Sequence, residues 1–276
     1  MGNSVLKGLS LEGTVTVVTG SGSGLGKQMA LAIAGAGGDI VLAGRRPQPL
    51  RDVFTKIQSM GTRAVVLPTD VTDTTQVRNL FKTAIHELGH VDALINNAGM
   101  VGDQGGVPIW EISDEDWHSV MDANLSSAFY CSRAVVPHMV ERGSGKIVNV
   151  SSGFGLRGGR DNYMYACSKG GVIQLTRVLA TSLGRYGITT NCIVPGYFPT
   201  EGTATSRESL PSAKFVPVGR VGDPKELGSV AVFLVSQASG YMNGEMFAID
   251  GGGLAGGYAP TGHAPDIPLD SQNSNR

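Results

Sequence analysis

The sequence predicts an α/β protein: one domain built on a doubly wound sheet of about seven parallel strands with helices on both faces. Three observations lead there. Short β-rich apolar runs alternate with longer amphipathic segments along most of the chain, which demands crossover connections and so parallel strands covered by helices. A glycine-rich turn, TGSGSGLG at 19–26, joins the first apolar run to the first helical segment. The 276 residues are 41% hydrophobic and 16% charged, enough for a sizeable core, and no linker or internal repeat divides them. Residues 1–253 are read as this domain and 254–276 as a flexible tail or an arm reaching a neighbouring subunit.

The elements follow in order. Thr14 to Thr19 reads as a buried strand, with a helix from Gly24 to Ala36 after the turn. Asp39 to Ala43 is the second strand, and Pro47, with its fixed φ, opens the next helix. Arg63 to Leu67 is a strand, Asp73 to Leu88 a helix, and Val91 to Asn96 the fourth strand. Ser113, with Asp116 three residues on, resembles a capping box and starts a helix running from Asp114 to about Glu141. Lys146 to Ser151 is a strand, Tyr163 to Tyr186 a helix, and Ile188 to Val194 the sixth strand. Asp223-Pro224-Lys225-Glu226 combines a cap, a Pro at N1 and an acid at N3, so a helix runs from there to about Val235. Glu245 to Asp250 is the seventh strand.

Composition narrows the function. A formal net charge of −1 gives no footprint for nucleic acid or an anionic membrane. No apolar run reaches the length of a membrane span, and the N-terminus lacks the layout of a signal peptide. Cys131, Cys167 and Cys192 lack metal-ligand spacing and read as small buried thiols in a reducing compartment. His86, His90, His118, His138 and His263 form no ligand pair with a third partner, so no metal is expected. A cytoplasmic protein is the expectation.

Three stretches carry chemistry. In the turn, Gly20, Ser23, Gly24, Leu25 and Gly26 let backbone amides approach a pyrophosphate at the positive end of a helix. The second strand ends in Arg45-Arg46, where a site selecting a free ribose 2′-hydroxyl usually carries an acid. Guanidinium suits a phosphate, so NADP(H) is favoured and NAD(H) stays possible. In YMYACSKGG, Tyr165 and Lys169 stand four residues apart and share one helix face. A nearby ammonium favours phenolate, so the lysine is expected to lower the pKa of the tyrosine.

With these motifs assembled, the chain resembles the short-chain dehydrogenase/reductase family from about Leu11 to Gly253. The carriers are TGSGSGLG, Asp70-Val71, Asn96-Asn97-Ala98-Gly99, Asn124, Ser151-Ser152, Tyr165 with Lys169, Pro195-Gly196 leading to Thr200, and GRVGDP…GEMFAIDGG. The resemblance extends to gluconate 5-dehydrogenase-like members acting on sugar acids or polyols, and to 3-oxoacyl reductases.

The resemblance implies a Rossmann-type fold and interconversion of a small-molecule ketone and a secondary alcohol by hydride transfer. In that role Tyr165 would exchange the proton, Lys169 would hold the nicotinamide ribose, and Ser152, thirteen residues before Tyr165, would bond the substrate oxygen. Ser151 is the alternative hydroxyl, although the spacing favours Ser152. Asn124 would sit at a local interruption of its helix and hold a relay water. Asp70 and Val71 would contact adenine, with a turn residue capping the next helix as the alternative for Asp70. Asn97, Ala98 and Gly99 would line the ribose, and Pro195, Gly196, Phe198 and Thr200 would bind the carboxamide side. One departure stands out: where some NADP(H) members carry a basic residue in the turn, this chain has Ser23.

The polar segment from Tyr197 to Phe215 is the expected substrate lid, and Arg157 and Arg160 are candidate readers of an anionic substrate. The resemblance also implies a homotetramer, or a homodimer. A non-catalytic nucleotide-binding protein of the same fold is the competing reading; an intact Asn124, Ser152, Tyr165 and Lys169 set argues against it.

Overall fold

The computed structural model describes residues 4–100, 107–159, 162–201 and 216–256. The strands are β1 (Val15–Thr19), β2 (Asp39–Gly44), β3 (Ala64–Pro68), β4 (Ala93–Asn96), β5 (Gly145–Val150), β6 (Ile188–Pro195) and β7 (Met246–Ile249). They form one parallel sheet in the order β3-β2-β1-β4-β5-β6-β7. The helices are α1 (Ser4–Leu9), α2 (Gly24–Gly35), α3 (Pro47–Gln58), α4 (Thr74–Leu88), α5 (Asp114–Met121), α6 (Ser127–Arg142), α7 (Tyr163–Leu183), α8 (Glu226–Val235) and α9 (Gly253–Gly256).

Strand alternation divides the core between two faces. Val18, Ile40 and Leu42 point to one side and pack with Met29 and Ile33 of α2, Leu50 of α3 and Leu227 of α8. Val15, Val17 and Val41 point to the other, against Phe81 of α4 and Val135 and Met139 of α6. The strands are thus apolar on both faces, which is why they read as continuous apolar runs. β1 lies between β2 and β4, so the chain leaves it in opposite directions and opens a crevice beyond the carboxyl ends of β1 and β4.

The expected elements are present with shifted ends. Asp73 caps α4, its carboxylate accepting from the amides of Thr75 and Gln76. Ser113 caps α5 through the Asp116 amide. The helix read from Asp114 to about Glu141 is interrupted by a π-helical turn over Asp122–Ser126 before α6 resumes, at Asn124, where the resemblance implies a break. Asp223, the expected cap of this helix with Pro224 at N1, instead forms a turn, accepting from the Lys225 amide, and regular helix starts only at Glu226, which pairs with Arg220.

Two short helices escaped prediction. In α1, Gly8 lies against Ala238, and α9 occupies a stretch read as irregular. Cys131 and Cys192 are buried, and burial pushes their thiols up to about 12 and about 11. Cys167 corrects the expectation of three buried thiols: it is exposed on the outer side of α7, two residues out of phase with Tyr165. Among the described residues no helix is long and apolar enough to cross a membrane.

Candidate active site

The glycine-rich turn is held by the neighbouring strand. Thr19 Oγ1 accepts from the amides of Asn97 and Ala98, both at 3.0 Å. The Asn97 side-chain amide donates to the Thr19 carbonyl at 2.9 Å and to that of Gly20 at 3.3 Å. The Asn97 side chain, expected beside a ribose, is therefore committed to clamping β1 to β4 at the switch point. Ser21 is buried and turns its hydroxyl to the Ala43 carbonyl.

The turn is also shaped to stay free of side chains. Gly20 and Gly24 have φ of 65° and 53°, which other residues rarely adopt. A Cβ on Gly20 would lie 2.9 Å from the Ala98 Cα. α2 then begins at Gly24 with Ser23 as N-cap, and no side chain caps its first turn. Unpaired helix amides and a positive dipole end make a natural seat for phosphate oxygens.

Basic charge reaches the same place from β2. Arg45 and Arg46 are exposed just past the strand, and Arg46 Nη2 donates to Ser23 Oγ at 3.4 Å. The turn thus acquires a neighbouring cation although position 23 itself is neutral. Asp70 lies after β3 in an Asx turn, its Oδ1 accepting from the Thr72 amide and hydroxyl, while Val71 is buried. Helix capping falls to Asp73, so Asp70 forms a turn but is not the helix cap of its alternative reading.

On the far side, Pro195 ends β6, and Gly196 packs so closely on Asp250 that a Cβ would lie 2.6 Å from its side chain. Phe198 packs its ring into the core against Gly222, leaving its backbone as the part that can meet a ligand. Thr200 sits over Gly24, whose Cβ would lie 3.3 Å from the Thr200 methyl, and Lys27 pairs with Glu201 at 3.2 Å. The rest of the expected lid and the tail beyond Gly256 lie outside the described residues, as does Arg160.

The reactive groups converge between β5 and α7. The Ser151 hydroxyl is buried and donates to the Lys169 carbonyl at 2.8 Å. Ser152 instead lies toward the Tyr165 phenol and acts to lower its pKa. In this geometry Ser151 anchors α7, and Ser152 is the hydroxyl on the phenol side.

Lys169 lies on the same helix face as Tyr165, its Nζ 5.7 Å from the Tyr165 ring centroid and 2.9 Å from the Val150 carbonyl it donates to. It is almost wholly buried, and desolvation lowers its pKa to about 8. Here the electrostatic expectation needs correction. Burial raises the Tyr165 pKa above its ordinary value, opposed only in part by the Ser152 hydrogen bond. The ammonium is spent on a carbonyl and sits beside the ring, so desolvation outweighs it. At neutral pH the phenol is protonated and ready to donate.

Asn124 occupies the middle of the π-helical turn and is buried. Its Oδ1 accepts from the Met100 amide at 2.8 Å, and its Nδ2 donates to the Met100 carbonyl at 2.9 Å and to Ser168 Oγ at 3.0 Å. It therefore ties the segment after β4 to α7. A Cβ on Gly99 would lie 2.6 Å from Asn124 Oδ1 and 3.6 Å from Lys169 Nζ, so the two side chains converge where only a glycine leaves room. Sequence reasoning missed Phe154, which stacks edge-on to Tyr165 at 6.4 Å between centroids; a lone aromatic in a Gly-rich loop carries no periodic signal.

These residues fit a dinucleotide. A side-chain-free turn, an uncapped helix start, adjoining guanidiniums and a buried Lys-Tyr-Ser cluster line one crevice at the switch point.

Comparison with known proteins agrees. The family model for short chain dehydrogenase matches residues 14–211. The 2-dehydro-3-deoxy-D-gluconate 5-dehydrogenase of Escherichia coli is 38% identical over 256 residues, covering 91% of this chain and 99% of that protein. The 3-oxoacyl-[acyl-carrier-protein] reductase FabG of Thermotoga maritima is 32% identical over 246 residues, 88% of this chain and 99% of that one. The crystal structure of a gluconate 5-dehydrogenase from Burkholderia cenocepacia in complex with NADP and tartrate superposes with a TM-score of 0.84 at 34% identity, over 91% of this chain and 99% of that chain.

Proposed function

The chain belongs to the short chain dehydrogenase family and is an NAD(P)-dependent oxidoreductase interconverting ketones and secondary alcohols; within that activity we propose that it prefers NADP(H) and acts on a hydroxy or keto acid of sugar-acid size. The observation that carries the catalytic reading is the convergence of Ser152, Tyr165 and Lys169 on one crevice.

A bound nicotinamide supplies or accepts the hydride. This chain's residues do the rest. Tyr165, protonated at neutral pH, gives its proton to the carbonyl oxygen as negative charge develops there. Ser152 donates to the same oxygen and holds it beside the phenol. Lys169 supplies a fixed positive charge and a donor toward the nicotinamide ribose. Asn124 keeps α7 registered on the segment after β4. The turn amides of Gly20, Ser23, Gly24, Leu25 and Gly26 would hold the pyrophosphate, with Thr200 alongside. Asp70 and Val71 would flank the adenine; Ala98 and Gly99 the adenosine ribose; Pro195, Gly196 and Phe198 the carboxamide.

Cofactor choice rests on Arg45 and Arg46. No acid stands where a 2′-hydroxyl would need one, and Arg46 already reaches Ser23. The NADP bound to the Burkholderia protein supports the same preference. The sugar-acid reading follows the Escherichia and Burkholderia relatives. We place the protein in the cytoplasm, in keeping with its free thiols, and read it as a homotetramer, a mass that sedimentation measures. Apolar surface on α6 and α7, at Phe129 and Val178, and next to β7 at Tyr241 and Met242 supports assembly.

The experiment is dinucleotide oxidation measured with both NADPH and NADH against keto-sugar acids and 3-oxoacyl thioesters. Turnover is expected with keto-sugar acids and NADPH. Arg45→Asp should move the NADPH/NADH ratio of kcat/KM at least about 10-fold toward NADH, since one charged phosphate contact is worth that much or more. An unchanged ratio refutes the cofactor argument, and turnover confined to the thioesters refutes the substrate class.

A further inference from the structure

Ser152 is followed by a short 3-10 turn, Gly153–Gly155, whose middle residue is Phe154. Two parts of that residue touch two different reactive groups. Its backbone amide donates to Ser152 Oγ at 3.3 Å. Its ring meets the Tyr165 ring edge to face, at 6.4 Å between centroids and 75° between planes. The ring is itself confined. The Arg157 guanidinium lies 5.3 Å from its centroid, and a Cβ on Gly159 would come within 2.7 Å of its Cδ1 and Cε1.

This arrangement has a directional consequence. A serine oxygen that accepts from an amide keeps its own proton to give, and here Ser152 can turn it toward the substrate oxygen beside the phenol. A phenol ring turns about its Cα–Cβ and Cβ–Cγ bonds unless a neighbour stops it, and an edge-to-face aromatic contact favours one orientation. The same ring also covers part of the Tyr165 side chain.

We propose that Phe154 is a positioning residue for the reaction: its amide aims the Ser152 hydroxyl and its ring aims the Tyr165 phenol, so that both oxygens address one substrate atom. The proposal rests on the roles given above to Ser152 and Tyr165. It makes the identity of the side chain two residues after the serine a determinant of turnover rather than of binding.

The test uses the full-length enzyme with NADP(H) and the best substrate of the panel. Phe154→Leu keeps the amide and an apolar volume but loses the ring edge. It is expected to lower kcat about 5- to 10-fold, the scale of one aromatic contact expressed in rate. NADPH affinity, read by the fluorescence of the bound dinucleotide, should stay within about twofold. The pH midpoint for alcohol oxidation should move down, because a phenol reached by water ionises more easily.

The groups facing that phenol are Lys169 on its own helix, with Cys192 of β6 behind it, Ser152 from the loop after β5, and Arg157 across the Phe154 ring. Phe154→Tyr, which restores a ring edge, should recover most of the lost kcat. Gly159→Ala crowds the ring without removing it, should shift kcat in the same direction as Phe154→Leu, and serves if the leucine variant does not fold.

Unchanged kcat and pH midpoint in both Phe154→Leu and Gly159→Ala overturn the proposal. If wild type and Tyr165→Phe behave alike on every substrate, the underlying catalytic reading fails instead.

Discussion

Tyr165→Phe is expected to lower turnover about 10³-fold while leaving dinucleotide binding intact. The substitution removes one oxygen and little volume. The ring contact with Phe154 and the helix face shared with Lys169 survive it. What disappears is the phenolic hydroxyl that lies beside Ser152. Steady-state kinetics and NADPH titration of the two proteins make the check. Equal turnover would favour a nucleotide-binding protein without this chemistry.

The wild-type pH profile adds a second readout. The phenol titrates above its ordinary value, so it stays protonated through neutral pH, whereas Lys169 titrates at about 8. Carbonyl reduction should therefore be level below that pH. As the pH rises through about 8, the ammonium is lost first and kcat/KM for NADPH should fall, because that ratio reports the free enzyme. A profile level to pH 10 would show that the lysine charge contributes nothing.

Gly26→Ala is expected to cost about 2–4 kcal/mol of stability and to abolish dinucleotide binding. The added Cβ would collide with the Asn97 side-chain nitrogen and the Gly20 carbonyl oxygen. Those two atoms form one of the hydrogen bonds that hold the turn to β4, so neither can move without opening the clamp. Thermal unfolding and NADPH titration measure the two effects. Gly35→Ala supplies the contrast: a Cβ there meets nothing within 4 Å, so stability should change little or rise slightly. A Gly26→Ala protein with wild-type melting temperature and affinity would mean that the turn tolerates side chains, and the phosphate seat would have to lie elsewhere.

The strand–helix alternation and the residue types of the site were legible because their signals are local. Apolar runs flanked by glycines mark buried parallel strands, and Ser113 and Asp73 cap helices within a few residues of themselves. The four-residue interval fixes Tyr165 and Lys169 on one face through helix geometry alone. The break in the helix after Asp114 was not readable from residue periodicity, because a π-helical turn adds a residue without any special composition; only the family resemblance pointed to it.

The sequence by itself determined which chemistry the chain carries: a phosphate-seating turn with basic neighbours, and a phenol, a hydroxyl and an ammonium at intervals that bring them together. Only the tertiary structure decided how those groups are tuned and divided. Ser151 turned out to anchor α7 while Ser152 met the phenol, Asn97 became a clamp, and Phe154 entered the site. Burial, not the neighbouring cation, set the direction of the Tyr165 pKa. Desolvation depends on everything packed around a group, from strands and loops far apart in the chain, and no local interval encodes it.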